Sequence, residues 1–129
     1  MAGGEIFRGA ASFSVASNFN DLAAYRLAAA LADDVYGAVA RFPAFDRSTL
    51  GMQVVRSADA VCANIAESTG RWTKADKRRL LVIARGELLE TEHWLKTAHR
   101  RGLLRADPSG RVAEVARALN GLIKHSTPS

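Results

Sequence analysis

The chain has 129 residues, the length of one domain, and 48% of them are hydrophobic, which is enough for a core. The formal net charge is +5, but 13 of the 18 Lys/Arg and only six of the 13 Asp/Glu follow Gly70. A single cysteine, Cys62, excludes an intrachain disulfide framework, and no apolar run approaches the ~20 residues that cross a bilayer.

A single cysteine suits a reducing compartment, and we expect the chain in the cytoplasm because no secretory signal pattern opens the sequence. The basic second half favours contact with a polyanion such as nucleic acid, while a merely solvated basic surface remains an equal alternative.

The first predicted elements are an N-terminal tail and two helices. Residues 1–17 are rich in Gly, Ala and Ser without a sustained period, so we expect a flexible tail. The first helix begins near Asn18 or Asn20 and ends before Phe42-Pro43, because the residue before proline avoids helical geometry. The second begins near Asp46 or Ser48 and ends at Gly70.

The third and fourth helices have clear start signals. Thr73-x-x-Asp76 resembles a capping box and opens the third helix, which ends at Gly102. Asp107-Pro108 opens the fourth, which runs to His125 and leaves 126–129 as a tail. The pattern predicts an all-α fold, an antiparallel up-down-up-down four-helix bundle over residues 18–125.

Helical periodicity identifies the faces that form the core. The second, third and fourth helices each have one apolar seam: Leu50, Val54, Ala58, Val61 and Ile65; Leu80, Leu81, Ala84, Leu88, Leu95 and Ala98; and Val112, Val115, Leu119, Leu122 and Ile123. The first helix has two stripes, Leu22, Tyr25, Ala29, Tyr36 and Val39 beside Ala24, Leu27, Leu31 and Val35, and the second has a spare row at Met52, Val55, Cys62 and Ala66.

One bundle core cannot use all of this apolar surface. We therefore expect a homo-oligomer, since exposed apolar patches usually mark protein–protein interfaces. The alternative is that the N-terminal tail folds back over the surplus.

The sequence predicts no enzyme, no cofactor and no metal site. Glu90-x-x-His93 has the spacing used in di-iron bundles, but it occurs once and projects away from the core seam. No zinc-type spacing, phosphate loop or nucleophile turn is present in the sequence. Cys62 is expected to act as a small buried hydrophobe.

Two polar stripes remain. On the second helix Arg56, Asn64, Glu67 and Arg71 share a side. We interpret them as a structural polar network in which Arg56 and Glu67 pair with each other or with a partner chain, and a ligand site is the alternative. On the third helix the candidate nucleic-acid-binding residues are Lys74, Arg78, Arg85, Lys96 and Arg100. We expect little base stacking, because few aromatic residues lie among them.

The sequence also resembles the bacterial four helix bundle protein family, which includes the 23S rRNA-intervening-sequence proteins. The resemblance covers residues 19 to about 104, and its most distinctive part is Asn64-Ile65-Ala66-Glu67 with Arg56-Ser57-Ala58 upstream. Further matching runs are Phe19-Asn20-Asp21-Leu22, Val35-Tyr36, Arg41-Phe42-Pro43, Leu50-Gly51, Gly70-Arg71 and Ala84-Arg85-Gly86-Glu87-Leu88. Departures from the family pattern are Tyr25 in place of Trp, Ser68 in place of Gly and Glu87 in place of Ser.

The resemblance implies an up-down-up-down bundle that assembles into a homopentameric ring with a central channel. The sequence is also similar to accessory proteins of diversity-generating retroelements, which are basic pentamers that bind nucleic acid and a reverse transcriptase. RNA or DNA is therefore the expected partner besides the chain itself, with no membrane or small-molecule substrate. The alternative is a protein–protein interaction scaffold with no nucleic-acid role.

Overall fold

The computed structural model describes residues 19–126, which form four long helices and no strand. The helices are α1 (Phe19–Val39), α2 (Met52–Ser68), α3 (Lys74–Arg100) and α4 (Ser109–His125). Contacts join α1 to α2, α2 to α3, α3 to α4 and α4 back to α1. The predicted all-α four-helix bundle is confirmed, while the predicted N-terminal tail (1–17) and residues 127–129 of the C-terminal tail lie outside the described residues.

The ends of α3 follow from its local sequence. The Thr73 side chain accepts a hydrogen bond from the backbone N–H of Asp76 at 3.1 Å, as the capping pattern predicts. At the other end Gly102 has a φ of +78°, and the Leu103 N–H donates to the Ala98 carbonyl at 2.9 Å. This geometry is a Schellman motif, which needs the left-handed conformation that glycine adopts without strain.

The entry into α2 differs from the single continuous helix that the sequence predicts. A short α-helical turn, Ala44–Asp46, is followed by a π-helical stretch, Arg47–Gly51, before α2 begins. A Cβ on Gly51 would lie 2.6 Å from Cγ1 of Val39. Glycine therefore lets the entry of α2 pack directly against the end of α1.

The core contains the predicted seams. Every predicted seam residue on the second, third and fourth helices is buried except Ile123, which is half-buried against the core. On α1 the second of the two apolar stripes faces inward, with Ala24, Leu31 and Val35 buried. The first stripe lies to the side, where Val39 is buried but Tyr36 is 67% exposed.

Two polar ties cross the interior between helices. Asp21, at the start of α1, is almost fully buried and its Oδ2 lies 2.8 Å from the Nζ of Lys77 on α3. The Thr91 hydroxyl on α3 donates to the buried Ser57 hydroxyl on α2 at 2.8 Å. Such ties fix the register of neighbouring helices, because sliding either helix would leave a buried polar group without its partner.

Candidate nucleic-acid interface

The outward face of α3 carries the predicted basic stripe. At 3.6 residues per turn the five residues fall within an arc of about 80° beside the core seam, and all are exposed: Lys74, Arg78, Arg85, Lys96 and Arg100. We call this surface the α3 basic face. Its length follows from the helix, since 26 residues at 1.5 Å per residue separate the first and last cations by roughly 39 Å.

Most of these cations form no ion pair with another described residue. Lys96 lies 3.9 Å from a carboxylate oxygen of Glu92, one turn earlier on α3. Within residues 19–126, Lys74, Arg78, Arg85 and Arg100 make no ion pair. The face therefore keeps a positive potential that a polyanion can neutralise with release of counterions.

Apolar side chains lie among these cations. Val82 is 43% exposed and Leu89 is 59% exposed, one on each side of Gly86 along the centre of the outward face. Glycine at this position leaves a shallow gap, since a Cβ there would meet nothing within 4 Å. The surface is thus a basic strip with an apolar middle.

Trp72 is the residue that the sequence interpretation missed. It lies in the connection between α2 and α3 and is 101% exposed, as open as a tryptophan in an extended peptide. It stands between Arg71 and Lys74, at the N-terminal end of the α3 basic face. The signal in the sequence was the Arg-Trp-Thr-Lys run, in which a single aromatic residue is flanked by cations just before a helix begins. An exposed indole is a flat surface on which a nucleic-acid base can stack.

The predicted polar network of α2 divides into separate contacts. Arg56 pairs across the helix interface with Glu87 and Glu90 of α3, so the expected pairing of Arg56 with Glu67 is wrong within this chain. Glu67 instead lies 3.5 Å from Arg71, one turn later. Asn64 donates from its side-chain amide to the Ala60 carbonyl at 2.8 Å.

The side chains of Glu90 and His93 contact those of Arg56 and Trp94. The Glu90 carboxylate accepts from Arg56 and, at 3.1 Å, from the indole N–H of Trp94. These donors, Arg56 first, lower the pKa of Glu90, and Glu90 in turn raises the pKa of Arg56. The His93 ring meets the edge of Trp94, with centroids 4.7 Å apart. No group of three or more potential metal ligands occurs between residues 19 and 126.

The spare apolar rows of α1 and α2 meet on another side of the bundle. Tyr36, Val39, Met52 and Val55 line a groove of about 400 Å³, and Met52 is 64% exposed. We call this surface the α1–α2 apolar face.

Further along the α1–α2 apolar face, partial burial and the proximity of Asp33 raise the pKa of Asp59. Burial, with Asp59 and Asp33 nearby, raises the pKa of the half-buried Cys62 thiol to about 12. A thiol with this pKa stays protonated and is a poor nucleophile, as expected of a packing residue.

Fold and surfaces together define a class: a small antiparallel helical bundle with an apolar flank and a basic outer face. The model of the family described as 23S rRNA-intervening sequence protein matches residues 20–125. The chain belongs to that family. No curated protein is similar enough to count as a match.

A solved structure shows the same fold. It is a crystal structure from Bacteroides thetaiotaomicron of a protein with unknown function from the S23 ribosomal protein family. It is 23% identical, covers 82% of this chain and 99% of its own, and superposes with a TM-score of 0.73. No helix among the described residues of the present chain is both long and apolar enough to cross a membrane.

Proposed function

We propose that this protein is a non-enzymatic helical-bundle protein that assembles with copies of itself and binds RNA or DNA without sequence reading. The proposal rests above all on one observation, the row of cations on the outward face of α3, four of which have no ion pair with any described residue. A phosphate backbone can bind such a row through its repeated negative charges, and this binding requires no contact with specific bases. Exposed Lys124, on α4, adds to the positive charge of the second half of the chain.

Self-assembly is supported by the α1–α2 apolar face. Tyr36 and Met52 are large, apolar and mostly exposed in the single chain, and aromatic residues and Met are enriched in the buried centres of interfaces. This face and the α3 basic face lie on different sides of the bundle, so a neighbouring copy can cover one and leave the other open. The expected oligomer is the pentamer that the family resemblance implies.

Charge reversal on α3 tests the nucleic-acid part. The variant Arg78→Glu with Arg85→Glu should weaken binding of a fluorescently labelled single-stranded RNA by about tenfold or more, because two phosphate contacts become repulsive. Fluorescence anisotropy measures the affinity, and circular dichroism should show unchanged helicity since both side chains are exposed.

The matched control changes net charge equally elsewhere. Arg26→Glu on α1 with Arg117→Glu on α4 replaces two exposed cations away from the centre of the face. It should change the affinity by less than about threefold. An equal loss of RNA affinity in both variants would show that net charge, and not the position of the cations, determines binding. If the unaltered protein does not bind RNA or DNA at about 50 mM salt, the nucleic-acid proposal is wrong and the protein-interaction scaffold remains.

A further inference from the structure

A cavity lies at the end of the bundle opposite Trp72. It measures about 800 Å³ and lies between the C-terminal half of α1, the loop after α3 and the start of α4. Its apolar lining includes buried Leu31 and Val35 from α1 and half-buried Leu103 and Leu104 from the loop. A cavity of this volume with an apolar floor is typical of small-molecule sites.

The charged groups of the cavity are not balanced. Its lining contains three arginines and two aspartates. Asp34 lies 3.2 Å from Arg111, which neutralises both. The Asp107 carboxylate accepts from the backbone N–H of Ser109 at 3.0 Å, in the turn just before α4.

The other two arginines of the lining are left without a carboxylate. Within the described chain Arg41, after α1, and Arg105, in the loop, make no ion pair. An exposed guanidinium at the rim of an apolar cavity is a good partner for a carboxylate, because it can donate two parallel hydrogen bonds.

We propose that this cavity binds a small amphipathic carboxylate, with the anionic head held by Arg41 and Arg105 and the apolar body against Leu31, Val35, Leu103 and Leu104. The anion pairs with two arginines that have no ion pair among the described residues, and the apolar body shields the half-buried Leu103 and Leu104 from water. An inorganic anion would leave these two leucines in contact with water. A neutral apolar molecule would leave both guanidiniums unpaired.

Calorimetric titration of the full chain with decanoate tests this site. We expect one decanoate per chain, while acetate, which lacks the apolar body, and decanol, which lacks the charge, bind at least about tenfold more weakly. Arg41→Glu with Arg105→Glu should reduce decanoate affinity by about tenfold or more. Arg41→Gln with Arg105→Gln serves the same purpose if the reversal lowers helicity.

Variants on the other two surfaces serve as controls. Arg78→Glu with Arg85→Glu, on the α3 basic face, should leave decanoate affinity unchanged, which separates this site from nucleic-acid binding. Met52→Gln, in the groove of the α1–α2 apolar face, should also leave it unchanged. Decanol binding as tightly as decanoate, decanoate affinity insensitive to both arginine pairs, or no decanoate binding because another part of the chain or a second copy fills the cavity would each overturn the proposal.

Discussion

Trp72 carries a large apolar ring that water surrounds completely in the single chain. Within the proposed function, this exposed indole beside Arg71 and Lys74 stacks on an unpaired base of the nucleic acid. A duplex, whose bases already stack on each other, offers the ring nothing comparable.

Trp72→Ala should therefore lower the affinity for single-stranded RNA by about 5- to 100-fold, the equivalent of one stacked base, and leave duplex affinity almost unchanged. Anisotropy with both ligands measures the ratio. Trp94→Phe is the matched control, because that half-buried indole bonds to Glu90 and does not face the ligand. An equal loss for duplex and single strand would show that Trp72 acts through structure or assembly instead.

Gly51 is the second residue whose identity has a direct physical reason. Alanine there would place a methyl group 2.6 Å from Cγ1 of Val39 and 3.2 Å from the Asp46 carbonyl oxygen. We expect Gly51→Ala to lower the free energy of unfolding by about 1–3 kcal/mol, the usual cost of overpacking. Gly86→Ala, in the open middle of α3, should instead raise it by about 0.5–1 kcal/mol. Urea denaturation measures both, and a stabilising Gly51→Ala would contradict the close packing at this turn.

At the scale of elements, the α2–α3 interface contains a pH-sensitive contact, the pair of Arg56 and Glu90. Arg56 and then Trp94 lower the pKa of Glu90 in the folded chain, so the contact stabilises the fold at any pH above the carboxyl's unfolded pKa of about 4.3. As the pH falls through the lowered folded pKa, Glu90 takes up a proton and this contribution is lost.

Glu90→Gln should melt at a lower temperature than the unaltered chain at about pH 6, and the difference should vanish near about pH 3. Glu114→Gln is the control, because Glu114 is exposed on α4 and has no ion pair in the described part of the chain. A melting difference that stays constant from pH 6 to pH 3 would mean that the charge of Glu90 plays no part.

The elements also show how far the sequence determines the fold. The seam from Leu50 to Ile65 and the cap at Thr73 are local patterns, and both appear in the structure as predicted. The choice between the two stripes of α1 is not local, because it depends on which side the other helices occupy. The partners of Arg56 lie 31 and 34 residues away, a pairing that no spacing rule on α2 can give.

The candidate sites also contain features that the sequence predicts and features that it does not. The five cations of the α3 basic face follow from helical periodicity, so their common exposure could be predicted from the sequence. The cavity with Arg41 and Arg105 could not, since three separate elements enclose it. Trp72 was visible in the sequence, but its complete exposure is a property of the folded connection.

At the scale of the whole molecule, the surplus apolar surface should be covered by neighbouring copies. Tyr36→Glu with Met52→Glu should make the protein monomeric, because charges on the α1–α2 apolar face cannot be buried against a second copy. Light scattering measures the molar mass. Leu89→Glu is the control. It introduces the same chemistry on the α3 basic face and should leave the mass unchanged. An unaltered chain that is monomeric at all concentrations would remove self-assembly from the account.

The dependence of RNA affinity on salt is the most direct test of the central claim, a basic outer face that binds a phosphate backbone. Four unpaired cations predict that the logarithm of the affinity for single-stranded RNA falls with the logarithm of salt concentration with a slope of about −3. Arg78→Glu with Arg85→Glu should make that slope shallower by about 1.4, while Arg26→Glu with Arg117→Glu should leave it in place. A slope near zero, or one that the α3 variant does not change, would contradict the account.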